Sequence, residues 1–169
     1  NFPLAMPSAN ISSGLSPVNA FDVYEEFKKK LNIIIDGGKS KIGIESTVID
    51  LTNKPKILRP GIISKKKIRQ TLKKNFSNIR SDIKAPGMLK RHYSPGIPIV
   101  LGIKKYYENC AFIVFGKNFK NKRNYFNLSK KANLKEAAAN LYKIMRKIKR
   151  KKYKKIYISK IPNLGPGIA

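Results

Sequence analysis

Hydroxyls, amides and one guanidinium recur in this sequence where regular structure should break. The stretch PSANISSGLSP, residues 7–17, sets Ser8, Asn10, Ser12, Ser13 and Ser16 among Pro7, Gly14 and Pro17. Each of those side chains can hydrogen-bond a phosphate, a ribose or its own backbone, so the stretch alone fits an ordinary turn as well as a ligand site. GIESTVIDL, residues 43–51, interrupts an apolar strand with Glu45, Ser46 and Thr47, whose hydroxyls need either backbone or ligand partners. Arg59, just before Pro60-Gly61, offers a fork of donors suited to a phosphate. KRHYSP, residues 90–95, adds Tyr93 and the chain's single histidine, His92. Glu45 is available to a metal, but one carboxylate does not make a magnesium site, and no metal-ligating set is assigned.

The elements that must position these groups read as α/β. Ser16-Pro17 has the form of an N-cap and first helical residue, and Phe21, Tyr24, Phe27 and Leu31 follow at helical spacing, which predicts a helix over 17–30. LNIIID (31–36), GIESTVIDL (43–51) and KILRPG (56–61) read as strands, and Ser64 caps a short helix carrying Ile68 and Leu72. Residues 75–97 lose periodicity and concentrate proline, glycine and aromatics, the composition of a linker. Beyond it, IPIVLG (97–102), AFIVF (111–115) and KIYIS (155–159) suit buried parallel strands. Asn133 with Glu136 resembles a capping box opening a helix faced by Leu134, Ala138, Leu141, Met145 and Ile148. The expected organisation is therefore 1–74, a linker over 75–97, and a small Rossmann-like three-layer α/β domain over 98–169.

The chain has 169 residues with 41% hydrophobic content, enough to bury a core, and no apolar run long enough for a membrane span. One cysteine, Cys110, and one histidine exclude a disulfide framework and a zinc site, and point to a reducing compartment, the cytoplasm. A formal charge of +28 invites an RNA or DNA partner. Lysines such as those of KIKRKKYKK (147–155) fall on helix ends and connections, however, and abundant Lys, Asn and Ile also follow from A/T-rich coding, so much of the charge reads as compositional.

In this order, PSANISSG, DGG, GIESTVIDL, LRPGII and APGMLKRHYSP resemble the threonylcarbamoyl-AMP synthase family, in its long form with a YrdC-like domain and an extra C-terminal α/β domain. The resemblance is tightest before residue 95 and looser over 98–169. It implies a twisted α/β sheet with a deep cleft, of which 1–74 would be the C-terminal part. It implies adenylyl transfer in which L-threonine, bicarbonate and ATP, taken with Mg2+, give threonylcarbamoyl-AMP and pyrophosphate for the downstream machinery that modifies tRNA. Ser8, Asn10, Ser16, Arg59 and Tyr93 would face ATP, and Ser46 with the backbone around Met6 would face threonine. Thr47 and His92 are weaker candidates, the second as a linker residue across the cleft; for Ser46 and Thr47 alike the alternative is a strand hydroxyl bonded to backbone.

The resemblance implies sheet strands and a Lys/Arg segment ahead of the PSAN motif, and the closing NLGPGIA stops where a last helix should begin, so truncation at both ends and inactivity of this stretch by itself are expected. An RNA-binding module predicts salt-steep RNA affinity that survives loss of Ser46 and Arg59. A regulatory or maturation factor using the same cleft predicts no turnover with threonine, bicarbonate and ATP alone.

Overall fold

The computed structural model describes residues 2–76, 93–103, 105–119 and 122–169. Helix α1 (Ala20–Phe27) runs into a 3-10 turn at Lys28–Lys30. Its N-cap is Asn19, whose side chain accepts from the Asp22 amide at 2.8 Å. Ser16, expected to cap, lies farther upstream and turns its hydroxyl to Glu45 instead. Pro17 thus precedes the helix rather than opening it.

Strands β1 (Val48–Asp50) and β2 (Lys56–Arg59) form an antiparallel ribbon with a register shift between Val48 and Ile49. The shift lies just after the Glu45-Ser46-Thr47 interruption, so pairing covers only the end of the long strand expected over 43–51. Residues 31–36 form no strand: Ile33 and Ile35 are 81% and 91% exposed, and a β-branched run needs a hydrogen-bonding neighbour before it becomes one. Helix α2 (Lys65–Leu72) follows as expected, with Ser64 accepting from the Lys67 amide and Ile68 buried.

The second sheet is wholly parallel, in the order β3-β6-β4-β5, from β3 (Ile99–Leu101), β4 (Cys110–Val114), β5 (Tyr125–Asn127) and β6 (Lys155–Ile158). Alternation sends Ala111, Ile113, Phe126 and Ile156 toward helix α3 (Leu134–Arg150), where they meet Ala137, Tyr142, Met145 and Ile148. Phe112, Tyr125 and Tyr157 point to the opposite face, where Tyr106 and Tyr107 stack on Phe112 and Tyr157 at 5.5 and 5.6 Å. Among the described residues α3 is the helix of this domain, and the layer on the other face is built of rings. β3 lies at the sheet edge and is exposed, unlike the buried strand expected there.

Asn133 caps α3, accepting from the Lys135 and Glu136 amides, while Glu136 turns to the Ser129 hydroxyl at 2.5 Å. The capping box is therefore closed through Ser129, whose hydroxyl takes the Asn133 amide. Leu15 and Val18 are buried in the same cluster as Ala111, Ile113 and Met145, so the first and last thirds of the chain share one core. Most of the expected linker, His92 included, lies outside the described residues. No helix among the described residues is long and apolar enough to cross a membrane.

Candidate functional site

Three segments converge. The first is the turn before α1, where the Gly14 amide donates to the Ile11 carbonyl at 2.9 Å and Asn10 Nδ2 donates to the same carbonyl at 2.9 Å. The second is the stretch Glu45-Ser46 entering β1. The third begins at Tyr93: the Ser94 amide donates to the Ser13 carbonyl at 3.0 Å, and Gly14 bridges Ser94 in parallel sense. Tyr93 itself has φ +53°, a left-handed conformation that costs a non-glycine residue about 1–2 kcal/mol and so is held by its surroundings.

Arg59, the last residue of β2, ties the second and third segments together. Its Nε donates to the Ser46 carbonyl at 3.0 Å, Nη2 to Ser46 Oγ at 3.1 Å and Nη1 to Tyr93 Oη at 2.6 Å. Glu45 ties the first to the second, because the Ser16 hydroxyl, only 8% exposed, donates to Glu45 Oε1. Gly61 allows this convergence: a Cβ there would stand 2.5 Å from the Thr47 nitrogen and 2.6 Å from the Glu45 carbonyl oxygen. Only glycine lets the chain after β2 lie against the backbone of Glu45-Ser46-Thr47.

Electrostatics agrees with the geometry. Burial, then the Glu45 charge, pushes the Tyr93 hydroxyl above its ordinary value of 10.0, while Arg59 pulls the other way. Tyr142 of α3 lies against Tyr93 with ring centroids 5.9 Å apart. Burial pushes its hydroxyl well up too, and Glu45 and Tyr93 add to the effect. Both tyrosines are therefore neutral hydroxyls at pH 7, and Glu45 faces both. The result is a cluster of one carboxylate, one guanidinium fork and four hydroxyls, suited to holding an anionic or polyhydroxylated ligand by hydrogen bonds.

The structure thus brings together Ser16, Ser46, Arg59 and Tyr93 of the residues singled out from sequence. Asn10 sits in the adjoining turn, and its Oδ1 is buried with no hydrogen-bond partner among the described residues. Met6, 80% exposed, and Ser8, also exposed, lie on the stretch leading into that turn. Thr47 donates to the Ile63 carbonyl at 3.0 Å, a backbone tie. The Ser16–Glu45 pairing and the part of Tyr142 were not legible in sequence: each joins residues far apart in the chain, and Tyr142 there looks like one more apolar position on a helix face.

The family model described as "Telomere recombination" matches residues 1–61, and "Threonylcarbamoyl-AMP synthase, C-terminal domain" matches residues 63–169. The chain belongs to the threonylcarbamoyl-AMP synthase family. The threonylcarbamoyl-AMP synthase of Pyrococcus abyssi is 42% identical over 106 residues, covering 59% of this chain and 31% of that protein. Its counterpart in Schizosaccharomyces pombe is 41% identical over 127 residues, covering 68% of this chain and 31% of the relative. The crystal structure of P. abyssi Sua5 complexed with L-threonine superposes with a TM-score of 0.80 at 32% identity, covering 96% of this chain and 54% of that one. A His/Tyr double-alanine variant of P. abyssi Sua5 superposes with a TM-score of 0.79 at 32% identity, covering 96% of this chain and 53% of that one. The aligned region is about a third of the length of these curated relatives.

Proposed function

We propose that the full-length protein is an L-threonylcarbamoyladenylate synthase. The observation that carries this reading is the Arg59 fork, which spans Ser46 and Tyr93 at 2.6–3.1 Å in a chain whose family makes threonylcarbamoyl-AMP. The reaction begins with the carbamate that threonine forms with bicarbonate. A carbamate oxygen attacks the α-phosphorus of ATP, the new P–O bond forms, the α–β bridging P–O bond breaks, and pyrophosphate leaves. Positioning and charge neutralisation are what such a displacement requires, and no side-chain nucleophile is needed.

In this reading Ser8, Asn10, Ser16, Arg59 and Tyr93 bind ATP, and Ser46 with the Met6 backbone binds threonine. The buried Asn10 Oδ1 supports the assignment, since it is an acceptor suited to a ribose hydroxyl. The Ser16 hydroxyl donates to Glu45, which leaves its oxygen lone pairs for a donor such as a ribose hydroxyl. Thr47 and His92 are supporting residues. Mg2+ fits this site only as part of the nucleotide: Glu45 can offer it one carboxylate, and the phosphates must supply the other ligands. The product is an activated acyl phosphate, so a transferase that delivers the threonylcarbamoyl group to tRNA must consume it, in the cytoplasm.

The test is threonine-dependent release of pyrophosphate from ATP by the full-length protein. Ser46→Ala should raise the KM for threonine at least tenfold, about 1.4 kcal/mol, by removing one hydrogen bond to a charged ligand. Turnover that does not depend on threonine overturns the reading. The 169-residue chain alone, which covers 54% of the solved relative, should release none. Salt-steep RNA binding without any turnover would favour an RNA-binding module or a maturation factor instead.

A further inference from the structure

Helix α3 belongs to the C-terminal domain, yet its inner stripe touches two segments of the cluster and the glycine that leads into the third. Arg146, 6% exposed, donates from Nε to the Ser16 carbonyl at 3.3 Å and from Nη2 to the Leu15 carbonyl, and so grips the turn that carries Ser16. Its charge is balanced by Glu26 at 2.9 Å and Asp22 at 3.9 Å, which lets a guanidinium sit in the core. One turn back, Tyr142 packs on Tyr93 at 5.9 Å. A further turn back, the helix backbone meets Gly43, where a Cβ would come within 2.6 Å of the Ala139 carbonyl oxygen and 2.8 Å of that of Ala138. Gly43, with φ +76°, leads directly into Glu45-Ser46. Positions 139, 142 and 146 are spaced three and four residues apart, so they form a single stripe of the helix.

We infer that this stripe of α3 sets the register of the cleft: Arg146, Tyr142 and the Ala138–Ala139 backbone are positioning elements for Ser16, Tyr93 and Ser46 respectively. The inference rests on the proposed synthase activity for its kinetic consequence, but not for its structural one. The planar fork of Arg146 fixes two successive carbonyls at once, and therefore the direction in which Ser16 projects its hydroxyl toward Glu45. A lysine keeps the charge facing Glu26 and Asp22 but cannot hold two carbonyls in that geometry. Gly43 fixes the height of Ser46 above the helix in the same way, because any side chain there must lift the stretch 43–47 off the helix backbone.

Separate grips predict separate losses. In the full-length protein, Arg146→Lys should raise the KM for ATP about tenfold or more, by loosening the turn that carries Ser16, while the threonine KM stays within about twofold. Gly43→Ala should do the reverse. Hydrogen exchange without any ligand gives an independent reading: faster exchange should be confined to residues 11–18 in Arg146→Lys and to residues 43–47 in Gly43→Ala. Exchange that rises evenly along the chain with the loss of thermal stability, or both KM values rising together, or neither variant having an effect, would overturn the inference. Should Arg146→Lys fail to fold, Tyr142→Leu serves in its place, with faster exchange expected over residues 93–97 and a raised ATP KM. If the wild-type protein shows no threonine-dependent turnover, the synthase reading fails by itself and the exchange pattern alone decides the role of α3.

Discussion

Arg59→Lys separates a positively charged site from a correctly forked one. The wild-type guanidinium reaches the Ser46 carbonyl, the Ser46 hydroxyl and the Tyr93 hydroxyl at 3.0, 3.1 and 2.6 Å from three different nitrogens. A lysine ammonium is a single point with no planar fork, so it can keep one of these partners and must release at least two. Hydrogen bonds to a charged donor contribute about 1.5–3 kcal/mol when shielded, and a half-buried position such as this one lowers that to about 1–2 kcal/mol each. Losing two loosens the folded site by about 2–4 kcal/mol; if the transition state needs that order restored, the upper bound at 1.36 kcal/mol per decade is roughly a 30- to 1000-fold fall in kcat/KM. The loss should appear for both substrates, because Ser46 and Tyr93 are freed together. Threonine-dependent pyrophosphate release by full-length protein, with thermal melting as a control for folding, is the assay. A change under threefold in protein that is still folded at the assay temperature would refute the reasoning, since charge alone would then suffice.

Three further outcomes follow from the same geometry. Tyr142 and Tyr93 hold their protons in the fold above the ordinary value of 10.0, so they contribute stability that is complete below pH 10 and is lost as pH rises from there toward their folded values. Tyr142→Phe should therefore flatten the fall of Tm between pH 9 and about 11, and an unchanged slope would contradict the burial argument. Gly61→Ala forces a methyl to within 2.5 Å of the Thr47 nitrogen, and should cost about 1–3 kcal/mol of overpacking strain, a Tm lower by roughly 3–10 °C. Replacing Lys147, Lys149, Lys151, Lys152, Lys154 and Lys155 by glutamine should lower RNA affinity at physiological salt by less than about tenfold if that charge is compositional; a larger loss measured by filter binding would give it a role.

Local rules carried the sequence reading wherever local physics decides. Ser64 and Asn133 cap their helices as their side chains suggest, and the apolar runs around Phe112 and Ile156 become parallel strands. Ser16-Pro17 misled because the same serine that could cap a helix found a stronger, charged partner in Glu45, twenty-nine residues away. LNIIID has strand composition, but strand identity comes from a neighbour, and none pairs with it among the described residues. β5 carries no readable sequence signal because Tyr125–Asn127 offers only three residues of pattern. At the site, Ser46, Arg59 and Tyr93 were legible as motif residues, whereas their mutual hydrogen bonds were not. Tyr142 and Arg146 carried one faint signal: a tyrosine and an arginine four apart on the helix, beside Met145 on an otherwise apolar stripe.

The shared core also fixes an order of events during synthesis. Arg146 follows Ser16 by 130 residues, so at about 5–20 residues per second the turn bearing Ser16 waits roughly 7–26 s for the helix that grips it. Leu15 and Val18, almost wholly buried in the cluster that includes that helix, lack its cover until it has been made. The cluster around Arg59 therefore cannot mature while the ribosome is still making the C-terminal sheet. A nascent chain stalled before residue 134 would display every motif of the site without the helix that holds its geometry.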